Sequence, residues 1–179
     1  MLLYHTGFEE IREPNVRYGR KNADFGQGFY LTADKDFARR WAKERKDAEV
    51  ILNRYELRTE GLDTRSEEWF QYIFANRAGK ADSINADAVI GPIANDTLYD
   101  TFGIITSGFL KTEEAMRLLM IGPEYEQIAL KTEAAARQLT WLGAEVIPED
   151  EVKKLRGVVA AEEAAYQKLF AEELSGHLQ

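Results

Sequence analysis

Asp24-Phe25-Gly26-Gln27-Gly28-Phe29-Tyr30-Leu31-Thr32 is the stretch from which the rest of the chain can be organised. Phe25 to Thr32 reads as a strand entered through Gly26 and Gly28. Glycine carries no Cβ, so at these points the backbone can come close to something and aim the following rings into a cleft. Asp34 is an N-cap for a helix over about Lys35–Lys46. Phe37, Ala38, Trp41 and Ala42 give that helix one apolar side. A strand tyrosine, Tyr30, and a helix tryptophan, Trp41, eleven residues on, can sandwich a flat ring. Upstream, Leu2–His5 reads as a short strand closed by Gly7. Its histidine can fix a ribose hydroxyl or an amide. Taken singly, each feature has a plainer reading: a structural histidine, a bulged strand and a core tryptophan. Their order and spacing are what join them.

Outward from this stretch, residues 8–24 read as a long loop with one turn of helix. Val50–Leu57 alternates as a strand. Ser66–Arg77 looks helical, with Trp69, Phe70, Ile73 and Phe74 on one side. Ala88–Ile93 is a short buried strand containing Pro92. Asn95 or Asp96 caps one helix and Thr112 another. Gln127–Lys131 and Thr140–Ile147 read as strands around a short helix at Glu133–Gln138. The tail from Glu149 to Leu174 is the clearest helix, its apolar stripe formed by Val152, Leu155, Val159, Tyr166, Leu169 and Phe170. Short strands and scattered helices without regular βαβ alternation indicate an α+β fold.

Composition narrows the function. The chain has 179 residues, 45% of them hydrophobic and 30% charged, enough for one domain with a real core. No run approaches the ~18 apolar residues of a membrane span, and Met1 to Glu10 lacks the pattern of a signal peptide. With no cysteine, a disulfide, a thiol nucleophile and a cysteine-ligated metal are excluded, and a reducing cytoplasm is the expected setting. Two histidines, His5 and His177, cannot build a His-rich zinc site. A net charge of −8 disfavours non-specific binding to a phosphate backbone. The common P-loop, nucleophile-elbow and zinc-protease motifs are absent.

The order of the motifs resembles the ADP-ribosyltransferase superfamily, in its His-Tyr-Glu branch of diphtheria toxin and the poly(ADP-ribose) polymerases. Tyr4-His5-Thr6-Gly7 fills the place of that branch's first-strand His-Gly-Ser/Thr. Phe25 to Asp34 fills that of Phe-Gly-x-Gly-Ile-Tyr-Phe-Ala-Asp, and Trp41 falls at its second aromatic. A closer resemblance is to a bacterial family known as domain of unknown function 3990. Arg20-Lys21, the Asp24–Thr32 stretch, Val89 to Asp96 and Gln127 to Thr132 carry it, over roughly residues 2–140.

The resemblance implies a split β-sheet core of short strands flanked by helices over residues 1–148. Residues 149–179 would form a C-terminal amphipathic helix, docked on the core or used for association. It implies NAD as co-substrate, no metal, and mono-ADP-ribosylation of a macromolecule, protein or nucleic acid. Small bacterial transferases of this kind are often toxins, sometimes paired with an antitoxin. By the same resemblance His5 would bond the ribose, and the backbone at Thr6 and Gly7 would hold the nicotinamide amide. Tyr30 and Trp41 would stack on the ring, with Gly28 beside them. Arg20 or Lys21, or less directly Arg17, would meet the pyrophosphate.

The third-strand glutamate of that branch falls at Gln127. Glutamine supplies neither the negative charge nor the base. Glu126 is adjacent but faces the other way in a regular strand, and Glu124 precedes it. Either Gln127 itself, or Glu126 or Glu124 in its stead, is therefore the third element, or the site binds without turnover. Rival readings are a catalytically inactive NAD- or nucleotide-binding module, an RNA 2′-phosphotransferase on a related scaffold, and a partner-binding domain working through its tail helix.

Overall fold

The computed structural model describes residues 1–65, 72, 73, 75, 76, 79, 80, 84–92 and 125–177. The expected helices capped at Asn95 or Asp96 and at Thr112 lie outside these residues, as does Glu124. Of the expected Ser66–Arg77 helix, Tyr72, Ile73, Ala75 and Asn76 are described, and they are helical.

Among the described residues seven strands form two sheets. The first sheet has the order β1 (Leu2–Gly7), β3 (Val50–Leu57), β7 (Leu139–Ile147), all antiparallel. In the second, β2 (Phe29–Leu31), β6 (Glu126–Leu130) and β5 (Ala88–Pro92) are antiparallel, and β4 (Thr64–Arg65) is parallel to β5. Among the described residues the sheets join at one rung, Tyr4 against Thr32, through Tyr4 N–H to Thr32 O (2.8 Å) and Thr32 N–H to Tyr4 O (3.1 Å). Beyond that rung β1 and β2 part.

Side-chain alternation sorts the core into three layers. Leu3, Tyr55 and Leu57 from the first sheet meet Phe29, Leu31, Ile128 and Leu130 from the second. On the other face of the second sheet, Ala129 and Val89 pack with Phe25, Tyr72 and Ile73. On the outer face of the first sheet, Val50, Leu52 and Ile147 pack against Ala38, Ala42 and Val152. Buried Asn53 ties the loop after β1 to β7: its Oδ1 accepts from Ile11 N–H (2.9 Å) and Trp141 Nε1–H (3.2 Å), and its Nδ2 donates to Glu9 O (2.9 Å).

Besides the helical residues among 72–76, the described fold has α1 (Lys35–Arg40), α2 (Glu133–Ala136) and α3 (Glu149–His177). Asp34 caps α1 by accepting from Phe37 N–H at 3.0 Å, as its position in the sequence suggests. Thr132 caps α2 in the same way. The single turn expected in the 8–24 loop is a 3-10 turn at Val16–Tyr18.

Two boundaries differ from expectation for physical reasons. The strand expected over Phe25–Thr32 is confined to Phe29–Leu31. Gly26 has φ +72°, a left-handed conformation that turns the chain instead of extending it. The helix expected over Lys35–Lys46 stops at Arg40, with Trp41 as its C-cap. Lys43 to Lys46 are all charged and exposed, so a longer helix would bury nothing in return for its ordering. Two-residue β4 is too short to show a period.

The tail helix reaches its expected start and runs slightly longer. Val152 is buried against α1. Glu151 pairs with Arg39 at 2.5 Å, and Glu162 pairs with Arg40. Of the expected apolar stripe, Val152 and Tyr166 are buried, whereas Leu169 is half exposed. Among the described residues no helix is long and apolar enough to cross a membrane.

Candidate functional site

His5 stands where the two sheets part. Its Nδ1 lies 2.7 Å from the backbone oxygen of Tyr30, across the split from β1 to β2. A carbonyl only accepts, so Nδ1 carries the hydrogen and Nε2 presents a lone pair. Burial lowers the His5 pKa, partly opposed by the bond to Tyr30, so the ring is neutral at neutral pH. Phe29 lies against the imidazole, centroids 4.5 Å apart, and Trp41 meets it edge-on at 6.2 Å. A Cβ on Gly7 would stand in ordinary contact with Nε2, at 3.4 Å.

The split also exposes a strand edge. Tyr4 uses both its N–H and its C=O toward β2. In an antiparallel strand the groups two residues on point to the same edge, so Thr6 N–H and C=O are directed into the gap. The Thr6 hydroxyl is turned away and donates to Ala38 O at 2.5 Å.

Trp41 is held by the aromatic layer of α1. Phe37 meets it edge-on at 5.3 Å and stacks on Tyr125 at 4.1 Å. Arg40 donates to the Tyr125 hydroxyl at 2.6 Å and lies over its ring, centroid 5.0 Å away.

The two rings expected to sandwich a flat ligand have different surroundings. Tyr30 stacks on Phe25 (6.4 Å, 13° between planes), and Phe25 stacks on Tyr72. The reason is the Tyr30 hydroxyl, which accepts from Phe25 N–H (2.9 Å) and donates to Gly26 O (2.7 Å). That pins the ring to its own entry loop. Tyr30 reaches His5 through its backbone carbonyl instead.

Gln127 is buried and Glu126 is exposed, the opposite facing expected of neighbours on a strand. Gln127 stands on β6 one residue beyond the Leu31–Ile128 pair, facing Thr32. The Gln127 Nε2 donates to Asp24 Oδ2 at 3.2 Å. Glu126 takes part through its backbone oxygen, which accepts from the Thr32 hydroxyl at 2.8 Å. Lys131, on the same face as Gln127, donates to Phe25 O and to the Tyr72 hydroxyl.

The remaining candidates are dispersed. Gly28 approaches protein backbone: a Cβ there would lie 2.7 Å from Leu130 O. Arg20 and Lys21 are exposed in the loop before the motif. Arg17 pairs with Glu133 at 2.7 Å, at a cavity of about 340 Å³ lined also by Val16, Gln27, Lys131 and Thr132. None of its lining residues is His5, Trp41 or Gln127, so the cavity is distinct from the split. Sequence reasoning passed over Phe29, Tyr125 and Asp24. Asp24 stood in the motif itself; Tyr125 had no signal, because its pairing with Arg40 spans 85 positions.

A family model described as "Protein of unknown function (DUF3990)" matches residues 1–141. The chain belongs to the DUF3990 family. Nothing among the curated proteins or the solved structures matches it. The DUF3990 region holds every residue of the split described above and ends within β7, so α3, which braces α1 through Arg39 and Arg40, lies beyond it.

Proposed function

We propose that this DUF3990 protein is a NAD-dependent mono-ADP-ribosyltransferase that modifies a macromolecule, the activity its sequence resemblance implies. The observation that carries the reading is the His5 lock across the split. A neutral imidazole, fixed by Nδ1 to the Tyr30 carbonyl, holds out Nε2 as an acceptor for a hydroxyl such as that of a ribose. The Thr6 peptide edge can pair with a carboxamide, which offers one donor face and one acceptor face. Trp41 supplies a flat apolar wall beside both. Breaking the nicotinamide–ribose bond builds positive charge on the ribose, so the site must fix the ring and face that charge with a negative group. The two sheets joined at one rung agree with the split core that the resemblance implies. On this reading the protein works where NAD is present, which fits the cytoplasm, and a toxin role with a matching antitoxin is its expected biological setting.

Gln127 favours a second reading, a module that binds NAD without turning it over, because an amide carries no negative charge. Incubation with NAD separates the two. A transferase releases nicotinamide slowly even without an acceptor, and His5→Ala abolishes the release. A binding module gains thermal stability from NAD and releases none. Absence of both signals would refute the NAD reading as a whole.

A further inference from the structure

We infer that Asp24 supplies the carboxylate of the reaction and that Gln127 positions it. The inference rests on the transferase reading and removes the difficulty that Gln127 raises for it. At the point of β6 where the family resemblance calls for an acid, the side chain is an amide, and its N–H reaches a carboxylate at 3.2 Å. Asp24 is fixed on three sides. Gln127 holds its side chain, Asn76 Nδ2 donates to its backbone oxygen at 3.0 Å, and the next peptide N–H, that of Phe25, is held by the Tyr30 hydroxyl at 2.9 Å. A group held this way needs little reorganisation as charge develops.

The pair also stands in the right place. Tyr4 and Thr32 form the rung that joins the sheets, and Gln127 faces Thr32 on the next strand. At ~4.8 Å per strand, Gln127 is roughly 10 Å across the sheet from Tyr4, the neighbour of His5. The His5 strand and the Gln127 strand thus lie on either side of β2, which meets β1 at the rung joining the sheets. Tyr30 links His5 and Asp24, its carbonyl on His5 and its hydroxyl on the loop that carries Asp24.

The step balances with these groups. The bond from ribose C1′ to the nicotinamide nitrogen breaks, and its electron pair leaves with nicotinamide, whose ring becomes neutral. The Asp24 carboxylate faces the cationic C1′. A lone pair of the acceptor, or of water, forms the new bond to C1′. The acceptor's proton passes to Asp24 and then to solvent.

The test measures nicotinamide release and the NAD-induced rise in melting temperature for wild type, Asp24→Asn and the exchange Asp24→Asn with Gln127→Glu. Asparagine keeps an acceptor for the Gln127 N–H and removes the charge. Asp24→Asn should lose about a hundredfold or more in release while keeping the NAD-induced stabilisation. The exchange, which returns one carboxylate to the pair, should recover at least about tenfold of that loss. Release by Asp24→Asn at the wild-type rate would overturn the assignment and leave the transferase reading standing. Equal loss of release and of NAD binding would also overturn it, making Asp24 a binding group. A folded but inactive exchange variant would do the same. No release from wild type would overturn the transferase reading, and this assignment with it.

Discussion

Gly28→Ala tests whether this glycine exists for packing inside the protein or for approach by a ligand. A methyl there would lie 2.7 Å from Leu130 O, where ordinary contact begins at 3.4 Å, a shortfall of about 0.7 Å. Neither neighbour can easily yield. Leu130 belongs to the first rung between β2 and β6, opposite Phe29. On the other side Gly19 presses on the same peptide: a Cβ on Gly19 would fall 2.0 Å from Gly28 O. Overpacking of this kind costs about 1–3 kcal/mol, or roughly 2–12 °C in melting temperature for a domain of this size. The assay is calorimetric unfolding without NAD, with Gly157→Ala as the control. Gly157 lies on α3 with nothing near its missing Cβ, so alanine there should be neutral or stabilise by up to about 1 kcal/mol. A Gly28→Ala protein as stable as wild type, yet unable to bind NAD, would refute the packing argument and return Gly28 to the ligand.

Two further outcomes follow from the charges. Because burial lowers the His5 pKa, the folded chain holds fewer protons there than the unfolded chain does. Stability should therefore fall as pH drops below about 6.5, by at most ~1.4 kcal/mol per pH unit, and level off below the folded-state pKa; urea midpoints against pH should show this limb, and His5→Gln should flatten it. A limb unchanged by His5→Gln would place the titration elsewhere. In a double-mutant cycle of Arg40→Ala and Glu162→Ala, the pair is partly exposed, so a coupling of about 0.2–1 kcal/mol is expected. Zero coupling in chemical denaturation would show that α3 is not latched to α1 at that point.

Much of the framework was legible because it depends on local chemistry. Asp34 announces a helix start through its own side chain. Val50–Leu57 carries its period in its own residues and matches β3. The Gln127 and Glu126 facing followed from the two-residue period alone. What the sequence did not disclose was set by pairings between distant residues. That Gly28 meets Leu130 and that Gln127 ends on Asp24 are facts of register. A sequence read one residue at a time shows which groups are available and not which partner each one finds.

The same distinction explains why the candidate site lies in the split and not in a larger cavity. A continuous sheet would consume every backbone group of β1 and β2 in a ladder. Here the ladder stops after one rung, and the protein itself fills the next position with an imidazole on the Tyr30 carbonyl. That substitution converts a saturated strand edge into a histidine with a free lone pair on Nε2, beside a peptide whose polar groups point into the gap. The aromatic layer of Trp41, Phe37 and Tyr125 then walls the gap. Its support comes from Arg40 and, through Glu162, from the helix beyond the DUF3990 region. The chemistry thus sits on the two strands that part, while the element outside the family region acts on the wall. Change in that outer helix is expected to alter how firmly Trp41 is placed, without touching the groups that would handle the ribose.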